Sequence, residues 1–267
     1  AAGGSTGYTL AGAAGVDNLT GSAFADAITT NGGADVVSAG AGNDTITVTA
    51  AAAAYTLTGG TGADTFAIAN NAGMTATITD LSTTDVVTVA GAATIVTANA
   101  ISQFIATAGT TNAGAAANLV LNASAAGIID LTASAAPATI NGSTGAETLK
   151  GSTGADIITG AAGIDTINLG VGAIDSVILT AVTAAADRDV ITNFVSATDK
   201  LTLGLANTTV GTAAGAAVVT ADATVAGVGG AAYTMTGAST ANADVILLNT
   251  NGAVTAVGVN SGDLSLV

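Results

Sequence analysis

The chain has 267 residues, of which 18 are acidic and three are basic, and it contains no histidine and no cysteine, so its net charge is −15. The missing residues exclude disulfides, thiolate metal sites, histidine metal centres and a Ser-His-Asp triad. Three basic residues cannot neutralise a phosphate backbone, so we expect no nucleic-acid partner. No apolar run approaches the roughly 20 residues that span a bilayer, so we expect no transmembrane segment.

The first repeat tract, roughly residues 12–67, is marked by a regular series of acids. An aliphatic residue follows each of the first four acids at the second position, and glycines precede several acids at fixed offsets. The cleanest unit, residues 59–67, reads Gly-Gly-Thr-Gly-Ala-Asp-Thr-Phe-Ala. Tyr55 lies where an acid is missing, so we interpret that turn as an expanded one without its carboxylate. The acids of this tract, the first four spaced by nine residues, are Asp17, Asp26, Asp35, Asp44 and Asp64.

The residues after this tract predict strands. Alternation of apolar and polar residues over 76–89 indicates two short closing strands. Residues 91–139 contain short apolar runs separated by Ala, Gly, Thr and Asn, and we expect further short, metal-free strands in the same stack. A helix is predicted at about residues 99–107.

A second tract, roughly residues 142–178, repeats the plan of the first. Glu147, Asp156 and Asp165 are nine residues apart, and the last unit, which ends at Asp175, has one extra residue. Closing strands are again predicted, at residues 187–203. Further on, residues 244–257 indicate a hairpin whose turn is residues 249–252.

A nine-residue period with Gly-Gly-x-Gly-x-Asp chemistry is typical of a calcium-binding parallel β-roll. We therefore predict an all-β fold: a calcium-stabilised right-handed parallel β-roll, or β-solenoid, with two repeat arrays and short extra strands. The predicted division is residues 1–90 for the first array with its closing strands, 91–139 for metal-free linking strands, 140–204 for the second array with its closing strands, and 205–267 for a C-terminal β segment.

The spacing also predicts metal sites. Six residues of each unit make a turn and about three make a strand, so two units form one coil and acids 18 residues apart meet. Two carboxylates with turn carbonyls form an all-oxygen site that suits Ca²⁺ better than Mg²⁺. Because the pairs recur along the arrays, we expect several Ca²⁺ ions. Without calcium the stacked carboxylates repel, and we expect the arrays to be largely disordered. The predicted ligands are Asp17, Asp26, Asp35, Gly40, Gly42, Asp44, Gly60, Gly62, Asp64, Glu147, Gly154, Asp156, Gly163, Asp165 and Asp175.

Within those ligands we expect specific pairs: Asp17 with Asp35, Asp26 with Asp44, Asp44 with Asp64, Glu147 with Asp165, and Asp156 with Asp175. The other acids are assigned by context. Asp80, Asp85, Asp189 and Asp199 are expected to cap strands or turns, with a metal role as the alternative. Asp130, Asp222 and Asp263 are expected to be solvated.

The repeats, together with the closing segment from Asp189 to Leu203, resemble hemolysin-type RTX proteins, over a little under half of the chain. The composition, rich in Ala, Thr, Gly and Asn, is similar to that of RTX surface-layer proteins of Gram-negative bacteria. The resemblance implies a calcium-dependent lattice of identical chains on the cell surface. It also implies type I secretion through an uncleaved C-terminal signal, compatible with residues 263–267, and anchoring to lipopolysaccharide by a separate N-terminal domain. Because the chain begins at Ala1 without a methionine, we expect it to be a piece of a longer protein.

The functional expectation is a structural, non-enzymatic protein that assembles with copies of itself. Two alternatives remain open: an RTX adhesin or ice- or ligand-binding module, and the non-catalytic RTX tail of a secreted enzyme. Assembly driven by calcium would favour the self-assembling structural protein. Ice shaping or receptor binding by the isolated chain would favour an adhesin or binding module.

Overall fold

The computed structural model describes residues 6–49, 53–180, 189–194, 199–204 and 265–266. These residues form a stack of parallel strands, and within them the only helix is a short 3-10 helix at Ala116–Asn118. The fold is therefore all-β, a parallel β-solenoid as the nine-residue period predicts.

The first array alternates strands between two sheets. The odd-numbered strands form a six-stranded sheet that ends with β11 (Thr111–Asn112), and the even-numbered strands belong to a 14-stranded sheet. Thr9 pairs with Ala27, and Asn18 pairs with Val36, so each coil contains two nine-residue units. The strands are β1 Thr9–Ala11, β2 Asn18–Thr20, β3 Ala27–Thr29, β4 Val36–Ala41, β5 Thr45–Val48, β6 Ala54–Thr61, β7 Thr65–Ile68, β8 Met74–Ile78 and β9 Val86–Val89.

The core is a column of the aliphatic residues that follow the acids. Side chains alternate across a strand, so the residue between two outward threonines points into the coil. Ile46, between Thr45 and Thr47, is fully buried, as is Leu57 in the other sheet. Each coil thus buries few large side chains, and their stacking along the solenoid makes one continuous core.

The expanded turn before β6 is confirmed. Val36 pairs with Thr56 and Val37 pairs with Leu57, so Tyr55 lies one coil beyond Asp35, where an acid would otherwise stand. Tyr55 is 1% exposed, and its ring adds to the core at this edge.

The middle of the chain corrects two predictions. Residues 99–107 were predicted to be helical, but they lie largely within β10 (Thr94–Ile105). The strands there are also long rather than short, because β10 and β12 (Leu119–Asp130) have 12 residues each. Parallel pairing between β10 and β12, interrupted by register shifts near Ile101, overrides the local helical pattern.

These long strands change the cross-section of the solenoid. The first half of β12 pairs with β13 (Thr139–Asn141), and its second half pairs with β14 (Thr148–Lys150). β10 and β12 therefore each bend around a corner of the solenoid. The bend lies at Ala100 in β10 and at Ala126 in β12, and both residues have positive φ. The two arrays share one of their two sheet faces. The other face is formed by a different series of strands in each array.

The second array resumes the two-strand coil. β13, β15, β17 and β19 pair in one series, and β14, β16, β18 and β20 pair in the other. Strand pairing is continuous from β2 to β19, and the hairpin predicted at 244–257 lies outside the described residues. The remaining strands are β15 Ile157–Thr159, β16 Thr166–Asn168, β17 Ser176–Thr180, β18 Val190–Thr192, β19 Lys200–Gly204 and β20 Ser265–Leu266.

Candidate metal sites at the edges of the roll

Each repeat acid is fixed at the edge of the roll because a strand begins directly after it. The carbonyl of Asp26 accepts a ladder hydrogen bond from Thr45 N at 2.8 Å, and the carbonyl of Asp44 accepts one from Thr65 N at 2.8 Å. The side chains of Asp44 and Asp64 are each 1% exposed. The sheet ladder therefore holds a row of buried carboxylates along each edge.

Neighbouring acids of a row are joined by one recurring hydrogen bond. The backbone N–H of each acid donates to Oδ1 of the acid one coil further along, and this contact brings together all five predicted pairs. The N to Oδ1 distances are 2.8 Å for Asp17 to Asp35, 2.7 Å for Asp26 to Asp44, 2.8 Å for Asp44 to Asp64, 2.8 Å for Glu147 to Asp165, and 2.8 Å for Asp156 to Asp175.

Three acids that were expected to cap strands or turns extend these rows. Asp64 N donates to Asp85 Oδ1 at 2.9 Å, Asp165 N to Asp189 Oδ1 at 3.0 Å, and Asp175 N to Asp199 Oδ1 at 3.1 Å. Each of these acids lies 21 to 24 residues after the acid that donates to it, so a strict period of nine residues does not identify it. The signal that could have found them is the aliphatic residue two positions after each acid.

The remaining described acids have other roles. Asp80 caps a turn, as predicted, by accepting hydrogen bonds from Gly59 N at 3.0 Å and Gly60 N at 2.6 Å. Asp130 was predicted to be solvated, and this is wrong: it forms a 2.8 Å ion pair with Lys150 on the neighbouring strand. Asp222 and Asp263 lie outside the described residues.

Four carboxylates of the rows have an oxygen that needs a partner. A buried charged oxygen without a donor is costly unless a cation satisfies it. No three acidic side chains within the described ranges group as a metal site, so a cation here would take a carboxylate pair and backbone carbonyls. Such a set of oxygens fits Ca²⁺. Among the described residues, the buried carboxylate oxygens without a hydrogen-bond partner are Oδ2 of Asp35, Asp44, Asp64 and Asp165.

The glycines predicted as ligands lie where consecutive turns stack. Gly60 packs against the carbonyl oxygen of Gly40, and Gly62 packs against that of Gly42, so closely that a Cβ would overlap the carbonyl. Both have positive φ, as do Gly40, Gly42 and Gly163. These carbonyls therefore face the gap between coils. Gly154 differs, because its φ is not positive and its N–H donates to Ser152 Oγ at 2.9 Å.

The electrostatics of the rows favour a bound cation. Burial raises the pKa of Asp165 to about 8, and the charges of Asp189 and Glu147 add to the effect. Burial, with the charges of Asp156 and Asp199, raises the pKa of Asp175 to about 7. Burial likewise raises the pKa of Asp64 to about 6. At neutral pH these carboxylates resist ionisation together, and a cation between them would relieve the repulsion.

Parallel coils with carboxylate rows along both edges define a β-solenoid of the β-roll class. A profile of the RTX calcium-binding nonapeptide repeat, in four copies, matches residues 12–46 and 141–173. The chain thus contains RTX repeats of the calcium-binding type in these two segments, on a repeat fold that is itself non-catalytic. Comparisons with curated proteins and with solved structures gave no match. Among the described residues, no helix has the length and apolar character needed to cross a membrane.

Proposed function

We propose that the chain is the calcium-dependent, self-assembling part of a surface-layer protein of a Gram-negative bacterium. One observation carries the proposal: the repeat acids lie along the edges of the solenoid and leave its broad face, from β2 to β17, without a charged side chain. Calcium bound at the predicted ligands would neutralise the edges and stiffen the coils. Copies of the chain could then meet through the faces without bringing like charges together.

The broad face consists of the outward side chains of the nine strands from β2 to β17 in the continuous sheet. At about 4.8 Å per strand it is roughly 40 Å long. In the nine strands from β2 to β17, two rows of outward side chains contain neither an acid nor a base. They are Asn18, Thr20, Val36, Ser38, Thr56, Thr58, Thr77, Thr79, Thr97, Asn99, Val120, Asn122, Thr139, Asn141, Ile157, Thr159, Ser176 and Ile178.

The same proposal accounts for export and location. An RTX chain that stays unfolded where calcium is scarce can be threaded through a type I secretion channel, and millimolar calcium outside the cell saturates weak sites and drives folding. We propose an extracellular, cell-surface location, with anchoring to lipopolysaccharide by a separate N-terminal domain.

Sedimentation velocity in EGTA and then in millimolar calcium tests the proposal. We expect a slow, expanded monomer in EGTA and fast-sedimenting, polydisperse assemblies in calcium. Compaction to a single sharp monomer would argue against a lattice and favour an adhesin or a tail module. An unchanged sedimentation coefficient would overturn the calcium dependence itself.

A second candidate function is a module that binds a flat ligand, such as an ice surface or a receptor. The observation that favours it is a regular column of hydroxyl and amide groups in the centre of the broad face. Thr58 Oγ1 lies 2.8 Å from Thr79 Oγ1, and the column continues through Asn99, Asn122 and Asn141. Ice-crystal shaping by calcium-loaded monomers would support this candidate over the lattice.

A further inference from the structure

The turns that hold eight of the acids are of two kinds. In the first kind, the N–H four residues before the acid donates to the second oxygen of that acid's carboxylate. This contact is 2.6 Å for Ser22 to Asp26, 2.9 Å for Ser143 to Glu147, and 2.6 Å for Ser152 to Asp156. Asp17 receives the same bond from Ala13 N at 2.6 Å. We call these turns self-capped.

The serine hydroxyl adds another hydrogen bond in three of the self-capped turns. Ser22 Oγ lies 3.0 Å from Asp26 Oδ1, Ser143 Oγ lies 2.8 Å from Glu147 Oε1, and Ser152 Oγ lies 3.0 Å from Asp156 Oδ2. Each of these carboxylates also accepts a backbone N–H from the preceding coil. Both oxygens of each acid therefore have donors without a metal ion.

The second kind of turn, which we call open, has left-handed backbone at two positions. The residues four and two before the acid both have positive φ, and the carboxylate has the buried, unpartnered Oδ2 described above. In the turn of Asp64, the N–H of Gly60 donates to Asp80 of the next coil and not to Asp64. The left-handed pairs are Asn31 and Gly33 before Asp35, Gly40 and Gly42 before Asp44, Gly60 and Gly62 before Asp64, and Ala161 and Gly163 before Asp165.

The two kinds of turn follow a fixed order along the chain. The first array begins with the self-capped turns of Asp17 and Asp26, and the second begins with those of Glu147 and Asp156. Two consecutive turns make one coil, so each array starts with one complete self-capped coil. Open turns follow, and the acids of the first open coil accept N–H donors from the self-capped coil, as Asp165 does from Glu147 N at 2.8 Å.

We propose that each array is divided into a metal-independent starting coil and calcium-dependent coils stacked upon it. Oδ2 of Asp35, Asp44, Asp64 and Asp165 binds Ca²⁺, whereas Ser22, Ser143 and Ser152 satisfy Asp26, Glu147 and Asp156 internally. The starting coil presents ordered N–H groups that position the first calcium-binding carboxylates. This assignment rests on the proposed calcium dependence. It narrows the predicted calcium-binding carboxylates from the whole series of acids to the acids of the open turns.

The test compares two buried aspartates nine residues apart in the second array. Bound calcium per chain is measured by elemental analysis after equilibrium dialysis for the wild type, Asp165→Asn and Asp156→Asn. We expect Asp165→Asn to lose one ion, or to bind it at least about tenfold more weakly. Asp156→Asn is expected to keep the wild-type number of ions. Equal loss in both variants, or loss only in Asp156→Asn, would overturn the assignment.

Ser152→Ala keeps the test decisive if Asp156→Asn fails to fold. Removing the hydroxyl destabilises the starting coil without removing a metal ligand, so the number of bound ions should stay that of the wild type. The calcium concentration at the midpoint of folding, followed by circular dichroism, should rise about tenfold, as for the loss of one hydrogen bond to a charged group. A lost ion in Ser152→Ala would contradict the proposal. A wild-type chain that binds no calcium would instead overturn the proposed function.

Discussion

At the scale of single residues, the backbone conformation of each turn is set by which residue tolerates left-handed φ. Ala161 has φ +75 at a position where glycine stands in the turns of Asp44 and Asp64. An L-residue with a Cβ pays roughly 1 kcal/mol in this conformation. The turn before Asp165 is therefore strained in the folded chain.

We predict that Ala161→Gly stabilises the calcium-loaded chain by about 1 kcal/mol, because glycine adopts this φ without a Cβ clash. The free energy of unfolding is measured by urea titration in calcium. The matched control is Ala162→Gly, at a neighbouring position without positive φ, which should destabilise by roughly 0.5–1 kcal/mol. Destabilisation by both substitutions would show that the turn is not strained.

A second prediction at this scale concerns the glycine that begins a unit. A Cβ at Gly160 would lie 2.6 Å from Asp165 Oδ2 and 2.9 Å from Asp189 Oδ2, between the two carboxylates that a cation would bridge. We expect Gly160→Ala to weaken calcium binding at least about tenfold, which calorimetric titration measures as a loss of roughly 1.4 kcal/mol.

The control for Gly160→Ala is Gly15→Ala, since a Cβ at Gly15 meets nothing within 4 Å. That variant should keep wild-type affinity and a stability within about 0.5 kcal/mol of the wild type. Unchanged calcium affinity in Gly160→Ala would show that the space between Asp165 and Asp189 is not a cation site.

At the scale of elements, the long strands of the middle segment are held by contacts between coils. The β10 residues Ile101 and Phe104 are three apart, a spacing that suggests a helix, yet both are buried in a strand. A register shift between Ile101 and Gln103 changes the alternation so that both side chains point inward. Pairing with β8 and β12, which is remote in sequence, decides the conformation of this segment.

The outer face of the same strands is joined by an asparagine ladder. Asn122 Nδ2 donates to Asn99 Oδ1 at 2.7 Å, and Asn141 Nδ2 donates to Asn122 Oδ1 at 2.8 Å. We predict that Asn122→Ala, which removes both hydrogen bonds, lowers the free energy of unfolding in calcium by about 1–2 kcal/mol.

Ser38→Ala is the control for Asn122→Ala on the same face. Ser38 is exposed and its hydroxyl makes no hydrogen bond within the described part of the chain, so its truncation should change stability by less than about 0.5 kcal/mol. If the two truncations had the same small effect, the ladder would contribute nothing to the stacking of the coils.

At the scale of the whole molecule, the carboxylate rows link folding to pH as well as to calcium. The pKa values of Asp64, Asp175 and Asp165 are raised to about 6, 7 and 8 in the folded chain, above the usual value near 4 of an unfolded chain. The calcium-free folded state therefore binds more protons than the unfolded state. Its stability is greatest below about pH 4 and is lost as the pH rises through these folded-state values.

We predict that acid partly replaces calcium. In EGTA, the β signal in circular dichroism should be weak at pH 8 and should increase as the pH falls to about 5, because protonation removes the repulsion within the rows. In millimolar calcium the signal at pH 8 should be high. A β signal in EGTA that is already full at pH 8, or that weakens as the pH falls to 5, would contradict this linkage.

The amino-acid sequence by itself determined the features that depend on local chemistry. The nine-residue period placed Asp44 in a turn and Ile46 in the core, since a strand alternates its side chains and a turn needs glycine. The carboxylate pairs also followed from the period, because a coil of two units brings together acids 18 residues apart, or 19 to 20 where a unit is expanded. Calcium-type chemistry followed from a chain that offers only oxygen ligands.

Only the tertiary structure decided what depends on stacking between coils. Asp85, Asp189 and Asp199 join the rows across unequal intervals because strand pairing, and not sequence distance, aligns them. The bend of β10 and β12, and the change of the second face, arise from long-range pairing that outweighs local preference. Whether a turn is self-capped or open also depends on its backbone conformation, since the open turns are those with positive φ at the residues four and two before the acid.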